Sequence, residues 1–445
     1  MEFISPPSSI VKVKNYRSPE KEETKENEFI EVVGENPYRF ISLYKGLIDL
    51  CNGEKKPKLF FAVSSISNLP TELVEEILSR VPVTSTRAVR LTCKKWNTLS
   101  KDESFTKKHL TQVVRREGEL QAIVLLNYSL YLMSIDRIHD NDFDPSVKSR
   151  GNLVSLNDSD KLVIITRVYH CEGLVLCLTE DNSRLVVWNP YTGQTRWIRV
   201  ELRSDKHRGI WYGHALGYDK RNHKILRYLN VPGAMYVHEI YDLNSDSWRV
   251  LDVTPDWDVE FGNYGLSLKG NTYWYGTDKV SREDVPDFLL CFDFTKERFG
   301  PRLHLPFESY SEDAVVLSSV REEQLAVLYQ HCETHEMEIW ITTKIEHNAL
   351  SWSKFLAVDM DPLTGCRFYS GGSFLVDEEK RAVVVFDEDK NVSETNRNTA
   401  YFIGENGYFR EVDLGEITTA KEIFPHAFSY VPSSVFFESG SDEKR

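Results

Sequence analysis

Side chains able to do chemistry stand close together in only a few places in this sequence. The nearest thing to a metal cluster is His331-Cys332-x2-His335. On a strand, His331 and His335 would share a face, and zinc accepts such ligands. Two ligands do not close a site, no partner cluster is spaced nearby, and the motif is not His-Glu-x2-His. A solvated hairpin end accounts for it. The densest carboxylate group is Asp252, Asp256, Asp258 and Glu260 in LDVTPDWDVE, with Trp257 among them. A glycosidase needs two such groups on facing loops, so the segment reads as an exposed acidic loop. Loop-borne aromatics are common in interfaces. Trp257 is therefore a candidate for contact with a target, as are Trp211 and Tyr212, which sit between basic groups in HRGIWYGH at 207–214. No Gly-rich phosphate loop precedes a helix, and the seven cysteines include no Cys-x2-Cys pair. The sequence predicts no catalytic residue, no cofactor and no metal.

A binding protein needs elements that hold its contacts in place, and the first such element runs from Leu69 to Leu110. Leu73, Ile77 and Val81 recur every four residues, with Val74 and Leu78 beside them, which makes one apolar helical stripe. Pro70 suits the first turn, where its missing N–H has no partner to lose. Glu72, Glu75 and Glu76 complement the N-terminal end of the dipole, and Pro82 stops the helix. Ser85 is a candidate N-cap for a second helix carrying Val89, Leu91 and Trp96. Asp102 or Ser104 caps a third, with Phe105 and Leu110 inward. A unit of about 40 residues is near the lower limit for an independent core, so part of the stripe is expected to face a partner.

The pattern Leu69-Pro70, Leu73-x3-Ile77-Leu78-x-Arg80-Val81-Pro82-Val83, Arg90-x2-Cys93-Lys94-x-Trp96 and Phe105-x3-His109-Leu110 resembles an F-box. Thr86 departs from it, where an apolar residue is usual. The resemblance implies docking on a Skp-type adaptor, and through it on a cullin, in a ubiquitin ligase. It assigns adaptor contact to Leu69, Pro70, Leu73, Ile77, Leu78, Val81, Pro82, Val83 and Trp96. Residues 66–110 hold eight Lys/Arg against five Asp/Glu in a chain of net charge -14. A locally basic unit suits an acidic partner surface. The mixed charges make no clean stripe and no aromatic platform is interleaved, so nucleic acid is not the expected partner.

From about 120 to 435 the texture changes to short β-type runs broken by Gly, Asn, Asp and Pro, such as LVLCL at 174–178 and AVVVF at 382–386. The runs repeat. LVVWNPYTGQTRWIRV at 185–200, HEIYDLNSDSWRVLDV at 238–253 and LLCFDFTKERFGPRLHLPF at 289–307 each end a strand in an aromatic. Asn or Asp, a turn and a second aromatic (Trp197, Trp248, Phe299) follow. A weaker copy spans 337–355. The anchors Trp188, Tyr241, Phe292 and Trp340 lie 53, 51 and 48 residues apart. One four-stranded sheet per ~50 residues is the kelch-type propeller period. Asn189, Asp242 and Asp293 are expected to serve their turns rather than catalysis. The same segments resemble, in order, the F-box-associated domain that follows the F-box in a large plant family. That resemblance implies a target-recognition module.

Composition agrees with this division. The chain is 41% hydrophobic, 27% charged and, at 12%, rich in aromatics, which favours a β body. No apolar run reaches the ~18 residues a membrane helix needs. The odd number of scattered cysteines suits a reducing compartment, cytoplasmic or nuclear. The expected architecture is α+β and multidomain: a disordered tail at 1–28, an extension of undetermined structure at 29–65 and a three-helix F-box at 66–110. An all-β, propeller-like domain follows at 115–435, then a short tail at 436–445. The expected function is the substrate-recognition subunit of an SCF-type ubiquitin ligase. The alternatives are an adaptor-bound scaffold without a ubiquitination target, and a propeller lectin or enzyme with a structural helical hairpin.

Overall fold

The computed structural model describes residues 13–14 and 29–30, parts of 71–109 and most of 120–435, with its longest gaps at 136–146, 201–210 and 389–396. The chain divides into two compact units between Arg115 and Arg116.

The first unit contains α1 (Thr71–Leu78) and α2 (Lys94–Leu99), followed by helical residues at 104–106 and 108–109. Asp102 is the cap of the third helical stretch. Its Oδ1 accepts the N–H groups of Ser104 and Phe105, both at 3.0 Å, and the Ser104 hydroxyl at 2.6 Å. These bonds, the hydroxyl's first, hold its pKa below the usual carboxylate value. Val74, Leu78, Trp96 and Phe105 form the interior. Lys108 pairs with Glu76 at 3.0 Å and ties the third stretch to α1. Ser85, Val89, Leu91 and Leu110 lie outside the described residues.

The second unit is a ring of antiparallel sheets, six blades among the described residues. Blades 2 to 6 follow the chain; blades 2, 3, 5 and 6 are each built from four successive strands, and blade 4 from six strand segments between Trp257 and His304. Blade 2 uses Ile165–Cys171, Leu174–Thr179, Arg184–Trp188 and Thr195–Arg199. Blade 3 uses Trp211–Asp219, Asn222–Asn230, Val237–Asp242 and Ser247–Leu251. Blade 4 centres on Asn271–Asp278 and Phe288–Asp293, blade 5 on Gln324–Gln330 and Glu336–Ile345, and blade 6 on Ala382–Glu388 and Arg397–Gly404. Blade 1 is shared by distant parts of the chain: His426–Ser429 pairs with Leu120–Leu126, which continues into Ser129–Ile135 and Val147–Asn152. The ring is thus closed by its last strand, which leaves no open sheet edge at the join.

The anchor residues Trp188, Tyr241, Phe292 and Trp340 all fall on the third strand of a blade, so the ~50-residue period is the blade period. Aromatic packing fills the spaces between blades. Between blades 3 and 4 lie Tyr228, Trp257, Trp274, Phe288, Phe292 and Phe294, which explains the high aromatic share.

Each first strand lies innermost, next to the first strands of the other blades. All six run the same way through the centre, because every blade repeats the same up-and-down order. One face of the ring therefore carries the turns between first and second strands, and we term it the hairpin face. The other carries the blade-to-blade connections and the turns between second and third strands, and we term it the connection face.

Candidate binding surfaces

In the helical unit α1 forms because its apolar residues recur at helical spacing, and one side of it packs inward. Val74 is fully buried and Leu78 is 3% exposed. Trp96 of α2 is also fully buried. Leu78 and Trp96, both expected to touch an adaptor, are buried within the helical unit, where their area contributes to its core. The side chains of Leu69, Pro70, Leu73, Ile77, Val81, Pro82 and Val83 lie outside the described residues.

In the propeller the innermost strands put a set of polar and aromatic side chains on the axis. Tyr264, two residues before the innermost strand of blade 4 (Leu266–Leu268), stacks on His426 of blade 1, with centroids 3.9 Å apart and planes at 19°. Blades 1 and 4 are opposite, so this stack crosses the channel near the connection face. Toward the hairpin face, Nε2 of His170 in blade 2 lies 3.6 Å from Oε1 of Glu322 in blade 5, again an opposite pair. There Tyr218 also donates to Glu172 at 2.6 Å.

The first strand of blade 3 starts at the connection face with Trp211 and Tyr212. Tyr212 is half-buried, and the Arg227 guanidinium carbon lies 5.6 Å from its ring centroid. Arg227 is in turn ion-paired with Glu239. The Trp211 side chain lies outside the described residues.

Comparison with known proteins identifies both units. Residues 66–108 match the F-box domain and residues 121–437 match the F-box associated beta propeller domain. The chain belongs to the F-box proteins. A putative F-box protein of Arabidopsis thaliana is 53% identical over 395 residues, which cover 85% of this chain and 98% of that one. An F-box/kelch-repeat protein of the same plant is 52% identical over 83% of this chain and 99% of its own. Among solved structures, the SapL1 lectin in complex with alpha methyl fucoside aligns at TM-score 0.38 and 10% identity, over 68% of this chain and 94% of that one. That likeness is too slight to carry a ligand across. F-box proteins of this plant type are the non-catalytic, substrate-recognising subunits of SCF-type ubiquitin ligases, and this chain is one.

In this F-box protein the repeated Asn and Asp are turn residues, as their spacing suggests. Asn189 Oδ1 accepts the N–H groups of Tyr191 (2.9 Å) and Thr192 (3.0 Å). Asp242 accepts from Asn244 and Ser245, and Asp293 from Thr295 and Lys296, in the same geometry.

Trp257 is a correction. It is 8% exposed, packed between blades 3 and 4 with its ring 4.6 Å from Phe299 and 6.1 Å from His238. Its ring packs in the core rather than on an exposed loop, because LDVTPDWDVE contains the Trp257–Asp258 strand of blade 4. Asp256 there pairs with Arg302 at 3.0 Å, and Arg302 also holds Asp278 at 2.8 Å.

The structure joins His331 and Cys332 to a residue that the sequence motif does not contain, Asp313, with their ligand atoms within 4.8 Å of one another. His335 lies outside the described residues. The cluster already has structural duties. Asp313 accepts the N–H groups of Cys332 (3.0 Å) and Tyr310 (3.2 Å), and Nδ1 of His331 accepts those of Glu333 (3.1 Å) and Thr334 (3.3 Å). A histidine accepting at Nδ1 carries its proton on Nε2, the tautomer that does not present Nε2 to a metal. Sequence reasoning also missed the axial set of Arg167, His170, His214, Tyr264, Glu322 and His426. Their sequence separations give no sign that a closed ring brings them together.

Proposed function

We propose that the helical unit grips a Skp-type adaptor, and through it a cullin, with Leu69, Pro70, Leu73, Ile77, Val81, Pro82 and Val83, and that the connection face of the propeller holds the target protein. The setting is cytoplasmic or nuclear. Among the described residues no helix is long and apolar enough to cross a membrane. The observation that carries the reading is the pairing of an F-box with an F-box associated propeller along most of the chain. The mechanism is proximity: the receptor raises the local concentration of target lysines near a ubiquitin-charged enzyme and breaks no bond itself. The connection face is favoured for the target because it gathers the longer inter-blade segments, which vary without disturbing the blades, and because Trp211 and Tyr212 begin the innermost strand of blade 3 there.

The test is a binding titration of the full chain against a Skp-type adaptor, beside its Leu73→Ala/Ile77→Ala variant. Removing two apolar side chains from a docking stripe costs about 2–5 kcal/mol each. The variant is expected to lose binding by at least ~100-fold while the propeller's thermal unfolding stays in place. Equal binding by both proteins would reject the docking assignment.

A further inference from the structure

Two of the large apolar side chains left exposed among the described residues stand on the connection face. Val280 is 89% exposed and Tyr310 is 41% exposed. Val280 lies in the turn between Asn271–Asp278 and Phe288–Asp293 of blade 4, and Tyr310 in the connection from Leu303–His304 of blade 4 to Ala314–Val320 of blade 5. The two segments are tied where the Asp287 N–H donates to the Ser309 carbonyl at 3.1 Å. The turn that opens at His331 of blade 5 is held to them by Asp313. The carboxylate of this buried residue accepts from Tyr310 and Cys332, and its N–H donates to the Tyr310 carbonyl at 2.9 Å. Phe307 stacks on Tyr329 in the same connection, with centroids 4.1 Å apart. The backbone that carries this patch is therefore fixed before a partner arrives, which lowers the cost of docking.

The charges around the patch have one sign. Glu308 and Glu312 flank Tyr310, Glu333 and Glu336 come from the blade 5 turn, and Asp359 ends the fourth strand of blade 5; all five are exposed. Among the described residues none of the five has a cationic partner. Arg302 of blade 4 is already held by Asp256 and Asp278. Glu336 and Asp359 are directly opposite each other in the strand pair, where like charges repel. The hairpin face differs: Asp246, Glu297, Glu346, Glu378 and Glu405 there each have a lysine or arginine. Acidity on that face is compensated locally, and beside Tyr310 it is left for a partner. An apolar patch rimmed by uncompensated carboxylates matches side chains with an aliphatic stem and a positive head, which are lysine and arginine. A guanidinium can also lie on the tyrosine ring. Nucleic acid and anionic lipid are repelled by the same charges.

We propose that this patch on blades 4 and 5 receives a segment of the target protein rich in lysine and arginine, its stems against Tyr310 and Val280 and its charges on Glu308, Glu312, Glu333 and Glu336. The proposal rests on the connection face being the target face. The carboxylates then set the on-rate and the choice of partner, and the apolar contact slows release.

The test titrates the full chain with two fluorescein-labelled nonapeptides, one alternating arginine with alanine and one alternating glutamine with alanine, at about 0.15 M salt. Two variants remove the same amount of charge. One carries Glu308→Gln, Glu312→Gln, Glu333→Gln and Glu336→Gln; the other carries Glu323→Gln, Glu346→Gln, Glu378→Gln and Glu405→Gln on the hairpin face. The parent is expected to bind the arginine peptide saturably and the glutamine peptide far more weakly. The patch variant is expected to weaken arginine-peptide binding by about tenfold or more, the sum of four modest exposed pairs, and the hairpin-face variant by no more than about twofold. Tyr310→Ala, which changes no charge, is expected to weaken it several-fold. Equal losses in the two four-site variants, equal binding of the two peptides, or binding that ignores Tyr310→Ala would each overturn the site. A larger loss in the hairpin-face variant would overturn the connection face as the target face as well. Adaptor binding is read on the same proteins: its absence from the parent would count against the ligase reading, and its presence beside equal losses against this proposal alone.

Discussion

Glu322 shows how a single side chain can carry a pH dependence in this fold. It extends from the first turn of blade 5 toward His170, whose Nε2 already accepts the Gly173 N–H at 3.0 Å. Two acceptors facing each other across 3.6 Å are compatible when the carboxyl carries the proton. Burial first, and Glu172 second, raise the Glu322 pKa to about 7. The folded value lies above the ordinary 4.5, so the folded state binds this proton more tightly than the unfolded one. Its contribution is complete below pH 4.5 and is lost as pH rises through 7. The rise from 4.5 to about 7 corresponds to roughly 3 kcal/mol. Glu322→Gln, which keeps the shape and cannot ionise, is expected to be more stable than the parent by about 1–3 kcal/mol at pH 8 and by under about 1 kcal/mol at pH 5. Urea midpoints at the two pH values measure this, and a difference that does not change with pH would mean the carboxylate is ionised at little cost in the fold.

At the scale of the element, the turn after the third strand is the unit most worth perturbing. Asn189 is fully buried and does two jobs: Oδ1 caps its turn, and Nδ2 donates to the Ser433 and Val435 carbonyls at 3.0 and 2.8 Å. Asp293 caps its own turn and otherwise pairs only with Lys296 among the contacts described. Buried hydrogen bonds contribute about 1 kcal/mol each. Asn189→Ala is therefore expected to cost about 2–4 kcal/mol in urea unfolding and Asp293→Ala about 1–2 kcal/mol; equal costs would deny Asn189 its second role. These turns were legible in the sequence because an Asx cap acts within three residues and leaves a local signature. The position four residues after each cap was not. Gly193, Asp246 and Glu297 all have positive φ there (70°, 55° and 53°), and only the first is the residue such a backbone favours. The reason lies in the neighbouring blade: Asp246 holds Arg196 of blade 2, and Glu297 holds Lys224 of blade 3, each at 2.9 Å. A contact between blades leaves no trace in local spacing. Trp257 misled for the same reason, since a tryptophan flanked by acids looks like an exposed loop until the adjoining sheet is in place. Blade 5 gave only a weak repeat because its last two strands run on as ten-residue partners through two register shifts, with no short turn at the usual point.

The whole propeller depends on how its ends meet. His426–Ser429 fills the innermost place in blade 1, beside Leu120–Leu126, and Ala427 packs with Ala122 and Val124 in the core shared with blade 6. His426 also spans the channel to Tyr264. Beyond the strand, Tyr430 donates its N–H to the Gln121 carbonyl at 2.9 Å, and the stretch at 433–435 lies against blade 2. It passes so close that a Cβ on Gly173, whose φ is +76°, would stand 2.3 Å from the Ser433 Cβ. A short segment thus supplies the inner strand of one blade and a tie to the next. In an open sheet, losing a terminal strand costs that strand's contacts. In a closed ring it also exposes an edge on the inside and unlocks the cores on both sides. Ending the chain at residue 423 is accordingly expected to lower the propeller's unfolding temperature by more than ~10 °C or to prevent its folding, far beyond the few degrees that a loss of about 1 kcal/mol produces in a domain of this size. Ending it at residue 437 leaves every one of these contacts in place and is expected to shift the temperature by no more than ~2 °C. Calorimetry of the two truncated chains decides the matter: if both unfold with the parent, the blades hold one another without the closing strand, and the ring's stability resides in the inter-blade aromatic cores alone.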